Sequence, residues 1–143
     1  MIKVYMAGKM GGRMGWEVLK EREDARDILE AWEIEVYDPA GNEDIDPASP
    51  VDLSMDLETM KRYVSKDEYA IKHCDVLLVL TGDTPSEGTS IEIGLALSLG
   101  IPIILVAPKR VSGALMGFWS VKADALCSTV EEAAQLISEN YGG

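Results

Sequence analysis

The stretch Pro85-Ser86-Glu87-Gly88-Thr89-Ser90-Ile91-Glu92-Ile93-Gly94 sets hydroxyl and glycine residues beside a carboxylate. It follows the apolar run Val76 to Leu80 and opens a second apolar segment with helical spacing. A strand that passes through such a turn into a helix aims backbone N–H groups at whatever sits above it, which suits an anion. Ser86, Gly88 and Thr89 belong to that turn, and Glu92 falls in the predicted first helical turn. An anion cradle beside a carboxylate points to chemistry on a phosphorylated or sugar-bearing small molecule. Two roles stand open for Glu92. It could close a capping box, with Thr89 as N-cap and Glu92 at N3. It could instead attack the anomeric carbon of a sugar and form a covalent glycosyl intermediate.

Asp67 is the second carboxylate of interest. In Ser65-Lys66-Asp67-Glu68, which has capping-box spacing, it reads either as a first-turn acid favoured by the helix dipole or as the group that handles the leaving-group proton. A retaining glycosyl transfer needs two carboxyl groups roughly 5–5.5 Å apart, a distance no sequence supplies. Asp75 more simply caps the turn into the next strand. Gly8, Gly11, Gly12 and Gly15 lack the dinucleotide-binding spacing. With Lys9 and Arg13 interleaved, they either make a tight turn or let the backbone approach a sugar or phosphate. Ser86 offers a hydroxyl to an anion or simply shapes the turn. Tyr5 either projects its phenol into a crevice or is a buried tyrosine with a satisfied hydroxyl.

These residues are carried by alternating strand and helix patterns. Ile2–Ala7 reads as a strand buried on both faces. Trp16–Trp32 reads as a helix with Val18, Leu19, Ala25, Ile28, Leu29 and Trp32 near one face. Glu35–Asp38 is a short strand stopped by Pro39. A polar loop over residues 40–52 follows, of the kind that often covers an active site. Residues 53–73 read as helical in two pieces, restarting at Ser65, with His73 at the helix end. Then come strands at Val76–Thr81 and Pro102–Ala107, with a helix at Ile91–Leu99 between them. Ala114 to Trp119 is apolar and fits core, lid or subunit contact. A short strand at Leu126-Cys127 precedes a helix opened by Ser128-Thr129-Val130-Glu131 and running to about Asn140.

Strands alternating with helices imply a parallel sheet covered on both faces. About five strands predict a three-layer, doubly wound domain over residues 1–143, with the common order 2-1-3-4-5. That order places the topological switch between the first and third strands, where ligands bind beyond the carboxyl ends. The loops meeting there are Gly8–Gly15 and Gly82–Thr89, the two most unusual segments of the chain.

The 143 residues are 47% hydrophobic and 27% charged, which fits one domain with a real core. No apolar run nears the ~20 residues of a membrane span, and the first residues enter a strand pattern without a signal-peptide layout, so a cytosolic protein is expected. The net charge of −12 disfavours polymeric nucleic acid and anionic membranes as partners. Lys9 and Arg13 would have to offset that field locally for a small phosphate to bind. The two cysteines, Cys74 and Cys127, have neither disulfide-framework nor zinc spacing, and the single histidine, His73, precludes a multi-histidine metal site.

Lys3-Val4-Tyr5-Met6-Ala7-Gly8, Val36-Tyr37-Asp38-Pro39, Asp67-x-x-x-Ile71-x-x-Cys74-Asp75 and Gly88–Ala96 with Gly100-Ile101-Pro102-Ile103 together resemble the nucleoside 2-deoxyribosyltransferase family. The resemblance implies a flavodoxin-like fold and cleavage of the N-glycosidic bond of 2′-deoxynucleosides without metal or organic cofactor. It implies Glu92 as nucleophile, Asp67 as the acid assisting base departure, Tyr5 in the pocket, and Asp38 among the substrate-binding positions. One departure is informative. Six residues before the glutamate, transferases carry an aspartate that holds the sugar 5′-hydroxyl; here the residue is Ser86. The related 2′-deoxynucleoside 5′-phosphate N-hydrolases carry serine in a similar Pro-Ser-x-Gly context, and their first loop is similar to Gly11-Gly12-Arg13. A hydroxyl tolerates a neighbouring dianion that a carboxylate would repel. The resemblance is therefore closer to the nucleotide hydrolase branch. It further implies a homo-oligomer in which a neighbouring subunit completes the site after the fourth strand, Ser112 being the nearest match. Base exchange between deoxynucleosides and non-catalytic nucleotide binding remain as rival functions.

Overall fold

The computed structural model of the chain describes residues 1–42, 44–82, 86–107 and 114–142. Five strands, β1 (Lys3–Gly8), β2 (Glu35–Tyr37), β3 (Val76–Leu80), β4 (Ile103–Val106) and β5 (Ala125–Cys127), form one parallel sheet in the order β2-β1-β3-β4-β5. The helices are α1 (Gly15–Ala31), α2 (Leu57–Lys72), α3 (Glu87–Ser98), α4 (Ala114–Lys122) and α5 (Val130–Tyr141). This is the flavodoxin-like α/β architecture that the alternation of patterns predicts.

Two cores lie on opposite faces of the sheet. Val4, Met6, Leu78 and Ile104 meet Ala25 and Leu29 of α1 and Ala133, Ala134 and Ile137 of α5. Tyr5, Ala7, Leu77, Val79, Ile103 and Leu105 meet Ile71 of α2, Ile93 and Ala96 of α3 and Trp119 of α4. Successive strand residues point to opposite faces, so the unbroken apolar runs of β1, β3 and β4 feed both cores at once. Each fully buried aliphatic side chain contributes roughly 1.5–3 kcal/mol.

Three boundaries depart from the sequence expectations. Residues 57–72 form one continuous helix capped by Asp56, whose side chain accepts the Thr59 N–H, and there is no restart at Ser65. Helix α3 starts at Glu87, four residues early, because Ser86 rather than Thr89 is its N-cap. The cap of α5 is Thr129, with Glu132 rather than Glu131 accepting a backbone N–H, that of Ser128. In α1 the buried line is Val18, Arg22, Ala25 and Leu29, while Leu19 and Trp32 of the predicted face are exposed. His73 is the C-cap of α2, as expected, and Asp75 accepts the Lys3 N–H at the start of β1.

The polar loop after β2 folds back over the start of α1. Carbonyls of Pro47, Ser49 and Val51 accept the N–H groups of Trp16, Gly15 and Gly12, and Val51 N–H returns to the Arg13 carbonyl. A Cβ at Gly15 would lie 2.0 Å from the Asp46 carbonyl oxygen, so only glycine allows this contact. No helix among the described residues is long and apolar enough to cross a membrane.

Candidate active site

Gly8 pairs with Leu80 at the carboxyl ends of β1 and β3, so the loops that follow them start side by side at the switch point. A Cβ at Gly8 would sit 2.8 Å from the Leu80 carbonyl oxygen, which makes glycine the residue that permits this approach.

Below that point, four side chains from four elements converge. Tyr5 of β1 is fully buried under α3 and its hydroxyl donates to Oε2 of Glu92. Tyr37 of β2 is in register with Tyr5 and its hydroxyl donates to Oδ1 of Asp67 on α2 at 3.3 Å. The two tyrosine rings stack with centroids 5.4 Å apart and planes 23° from parallel. Adjacent parallel strands thus hold two phenols side by side, and each phenol holds one carboxylate. The shifted helix boundaries strip both acids of their local roles. Asp67 lies well inside α2 rather than in a first turn, and Glu92 lies in the second turn of α3, beyond reach of the cap.

Electrostatics tie the four groups together. Burial pushes the Glu92 carboxyl up to about 7; the Tyr5 hydrogen bond opposes this, the neighbouring Asp67 charge adds to it, and the Arg22 cation offsets part of it. Burial, followed by the Glu92 charge, raises the Tyr5 phenol far above its ordinary range, so Tyr5 stays neutral and a donor. A carboxylate poised near neutrality beside a second acid is suited to nucleophilic or acid–base work.

The remaining expected residues are distributed unevenly. Ser86 Oγ accepts the Thr89 N–H at 3.2 Å and lies 2.7 Å from Thr89 Oγ1, while Thr89 itself is buried. Glu87 and Gly88 open α3, where a helix leaves its N–H groups without intrahelical acceptors. In the first loop, Arg13 is held by Glu21 at 2.9 Å and by the Lys9 carbonyl at 3.1 Å. Gly12 N–H is taken by the covering loop, and Gly11 rests against Leu53. Asp38 is buried with both carboxylate oxygens engaged, by Arg22, Arg26 and the Ala40 N–H. It braces the scaffold from within. Pro85 and Ser112 lie outside the described residues. Among the described residues no three His, Cys, Asp or Glu side chains group as a metal would require.

Two residues of this neighbourhood carry no role in the sequence expectations. Tyr37 appears there only within a motif; its place opposite Tyr5 becomes visible once the strand register is known. Arg22 leaves a clearer trace, since it interrupts the buried α1 line at helical spacing. A cavity of about 560 Å3 lies between α2 and the β1–β2 edge, with Tyr37 in its wall but neither Asp67 nor Glu92 among its lining residues, so it is separate from the carboxylate pair.

The parallel sheet in the order β2-β1-β3-β4-β5, covered by helices, defines the class of flavodoxin-like α/β proteins, and here two carboxylates converge below the switch point. The sequence model for nucleoside 2-deoxyribosyltransferase matches residues 4–133, and the chain belongs to that family. Among solved structures, the 2-deoxyribosyltransferase from the psychrotolerant bacterium Bacillus psychrosaccharolyticus superposes with a TM-score of 0.73 at 23% identity, over 92% of this chain and 90% of that one. A conserved protein from Enterococcus faecalis V583 gives 0.69 at 19% identity over 97% and 98%. The Clostridium botulinum CMP N-glycosidase BcmB gives 0.60 at 24% identity over 95% and 98%. At these identities the likenesses establish the shared fold. No curated protein matches the sequence.

Proposed function

We propose that this chain cleaves the N-glycosidic bond of 2′-deoxynucleoside 5′-monophosphates and releases the sugar to water. The observation that carries the proposal is the convergence of Glu92 and Asp67 through the stacked Tyr5–Tyr37 pair. In the first step Glu92 attacks C1′, the C1′–N bond breaks, and Asp67 delivers a proton to the departing base. In the second, water attacks C1′ of the deoxyribosyl–enzyme ester, Asp67 takes a proton from it, and Glu92 leaves as carboxylate. Tyr5 holds Glu92 in position and, being neutral, donates to it throughout.

Ser86 supports a nucleotide rather than a nucleoside. Its hydroxyl and the first-turn N–H groups of Glu87 and Gly88 stand at the positive end of α3, where a phosphate is favoured. Lys9 and Arg13 on the facing loop would add positive charge if Arg13 exchanged Glu21 for the phosphate. The substrate would be a free nucleotide rather than a polymer, since a net charge of −12 disfavours polymers. A homo-oligomer belongs to the proposal, because Ile91 of α3 and Phe118 and Val121 of α4 expose apolar surface.

Base exchange is the second reading, favoured by the family match itself. Chromatography separates the two. A panel of deoxynucleosides and deoxynucleotides is incubated with and without a second free base. Free base and deoxyribose 5-phosphate from a nucleotide support hydrolysis, a new nucleoside supports transfer, and saturable binding with neither product defeats both.

A further inference from the structure

Strand β2 ends at Tyr37, and Pro39 just beyond it has no N–H to extend the ladder. Along β1, Ile2 presents its carbonyl to Glu35 of β2, so the carbonyls of alternate residues, Met6 and Gly8 included, point to the same side. Past the end of β2 they have no strand to meet. Arg22 takes their place. Its Nη1 donates to the Met6 carbonyl and its Nη2 to the Gly8 carbonyl, both at 2.8 Å, and Nη1 also reaches Asp38 Oδ1 at 3.2 Å. Both side chains are buried, at 2% and 6% exposure, and the Arg22 Nε is buried with no hydrogen-bond partner. A buried cation with an unpaired donor lowers stability, so the arrangement asks for a reason beyond folding.

We propose that Arg22, locked by Asp38, is a positioning residue for the reacting carboxylate: it completes the β1 edge beyond β2, fixes the register of Tyr5 and Tyr37, and sets a buried positive charge near Glu92. The inference rests on Glu92 as the reacting group. Tyr5 from β1 bonds Glu92 directly, and the charges of Asp67 from α2, with Tyr37 bonded to it, and of Arg22 from α1 act on it. The β3 and β4 residues of the same core, Leu77, Val79, Ile103 and Leu105, are apolar. Arg22 thus opposes Asp67 in setting the charge state of Glu92, and Asp38 determines how much of the Arg22 charge is felt.

Three variants test this: Arg22→Met, Arg22→Lys and Asp38→Asn. The Glu92 carboxyl is titrated by 13C NMR, and base release is followed against pH. Arg22→Met is expected to move the Glu92 titration to higher pH by about half a pH unit or more, and Asp38→Asn to move it lower, because an uncompensated cation favours the carboxylate. Arg22→Lys keeps the charge and stays near wild type in titration, while kcat falls with little change in KM. Opposite shifts in Met and Asn variants support the proposal. Shifts of the same sign, or loss of activity with no shift in either, overturn it, since a structural brace alone would give that result. If Arg22→Met does not fold, the Asp38→Asn titration decides alone. The NMR readout needs no turnover, so absence of base release from the wild type would refute the proposed reaction without being confused with failure here.

Discussion

At the residue scale, Glu92 and Asp67 differ in environment despite similar chemistry. Burial lifts the Glu92 carboxyl to about 7, with the Tyr5 hydrogen bond opposing the rise and the Asp67 charge adding to it. In the proposed role of nucleophile it must be ionised, so kcat/KM is expected to fall below about pH 7 as Glu92 gains a proton; a profile flat down to pH 5 would be incompatible with this role. Glu92→Ala should abolish base release, measured by chromatography of free bases. Tyr5→Phe removes the hydrogen bond that favours the carboxylate. Its acid limb should move to higher pH and kcat should drop by about 10–100-fold, the worth of a hydrogen bond to a charged group. Both acids have residue types legible in the sequence, yet each also fits a capping or first-turn role there. Capping-box spacing is common and local, and it cannot reveal that Ser86 and Asp56 do the capping.

At the scale of elements, a cap and a close approach decide where the site sits. Ser86 caps α3 and is the proposed phosphate contact. Ser86→Ala should cost about 1 kcal/mol of stability through the lost cap, read by denaturant unfolding. It should also raise KM for deoxynucleotides while leaving any activity on deoxynucleosides unchanged; an equal effect on both would leave only the cap. Gly15 touches the loop that folds over the start of α1. Gly15→Ala drives a Cβ into the Asp46 carbonyl at 2.0 Å and is expected to destabilise by about 1–3 kcal/mol, lowering Tm in a thermal melt. The order of strands and helices was readable because β1, β3 and β4 are unbroken apolar runs between polar turns. Helix starts were less readable. Thr89 and Ser86 are both accepted cap types, and Asp56 sits where Val51 to Leu57 alternate apolar and polar, a period of two that marks no helix start.

At the scale of the whole molecule, the site is held against the stability of the fold. An ordinary glutamate titrates near 4.5, and Glu92 in the folded chain near 7, so the folded state binds the extra proton between those values. The Glu92 contribution to stability is therefore most favourable below about pH 4.5 and is lost as pH rises through about 7. Glu92→Gln should melt higher than wild type at pH 8.5, by up to about 3 kcal/mol of stability, with the difference vanishing toward pH 4.5. A variant less stable than wild type at pH 8.5 would show that the hydrogen bonds of the carboxylate outweigh the cost of burying its charge. The exposed Ile91, Phe118 and Val121 are expected to be covered by a second copy, and Ile91→Asp should give a folded monomer by sedimentation. By itself the amino-acid sequence determined the layers, the strand order and the meeting of two glycine-bearing loops at the switch point, because hydrophobic periodicity and handed crossovers are local or near-local rules. Only the tertiary structure decided that Tyr5 and Tyr37 lie side by side, that each carries one acid, and that Arg22 and Asp38 stand in for a strand that Pro39 ends. Those contacts join residues up to 87 positions apart, and their register depends on packing that no short window of sequence contains.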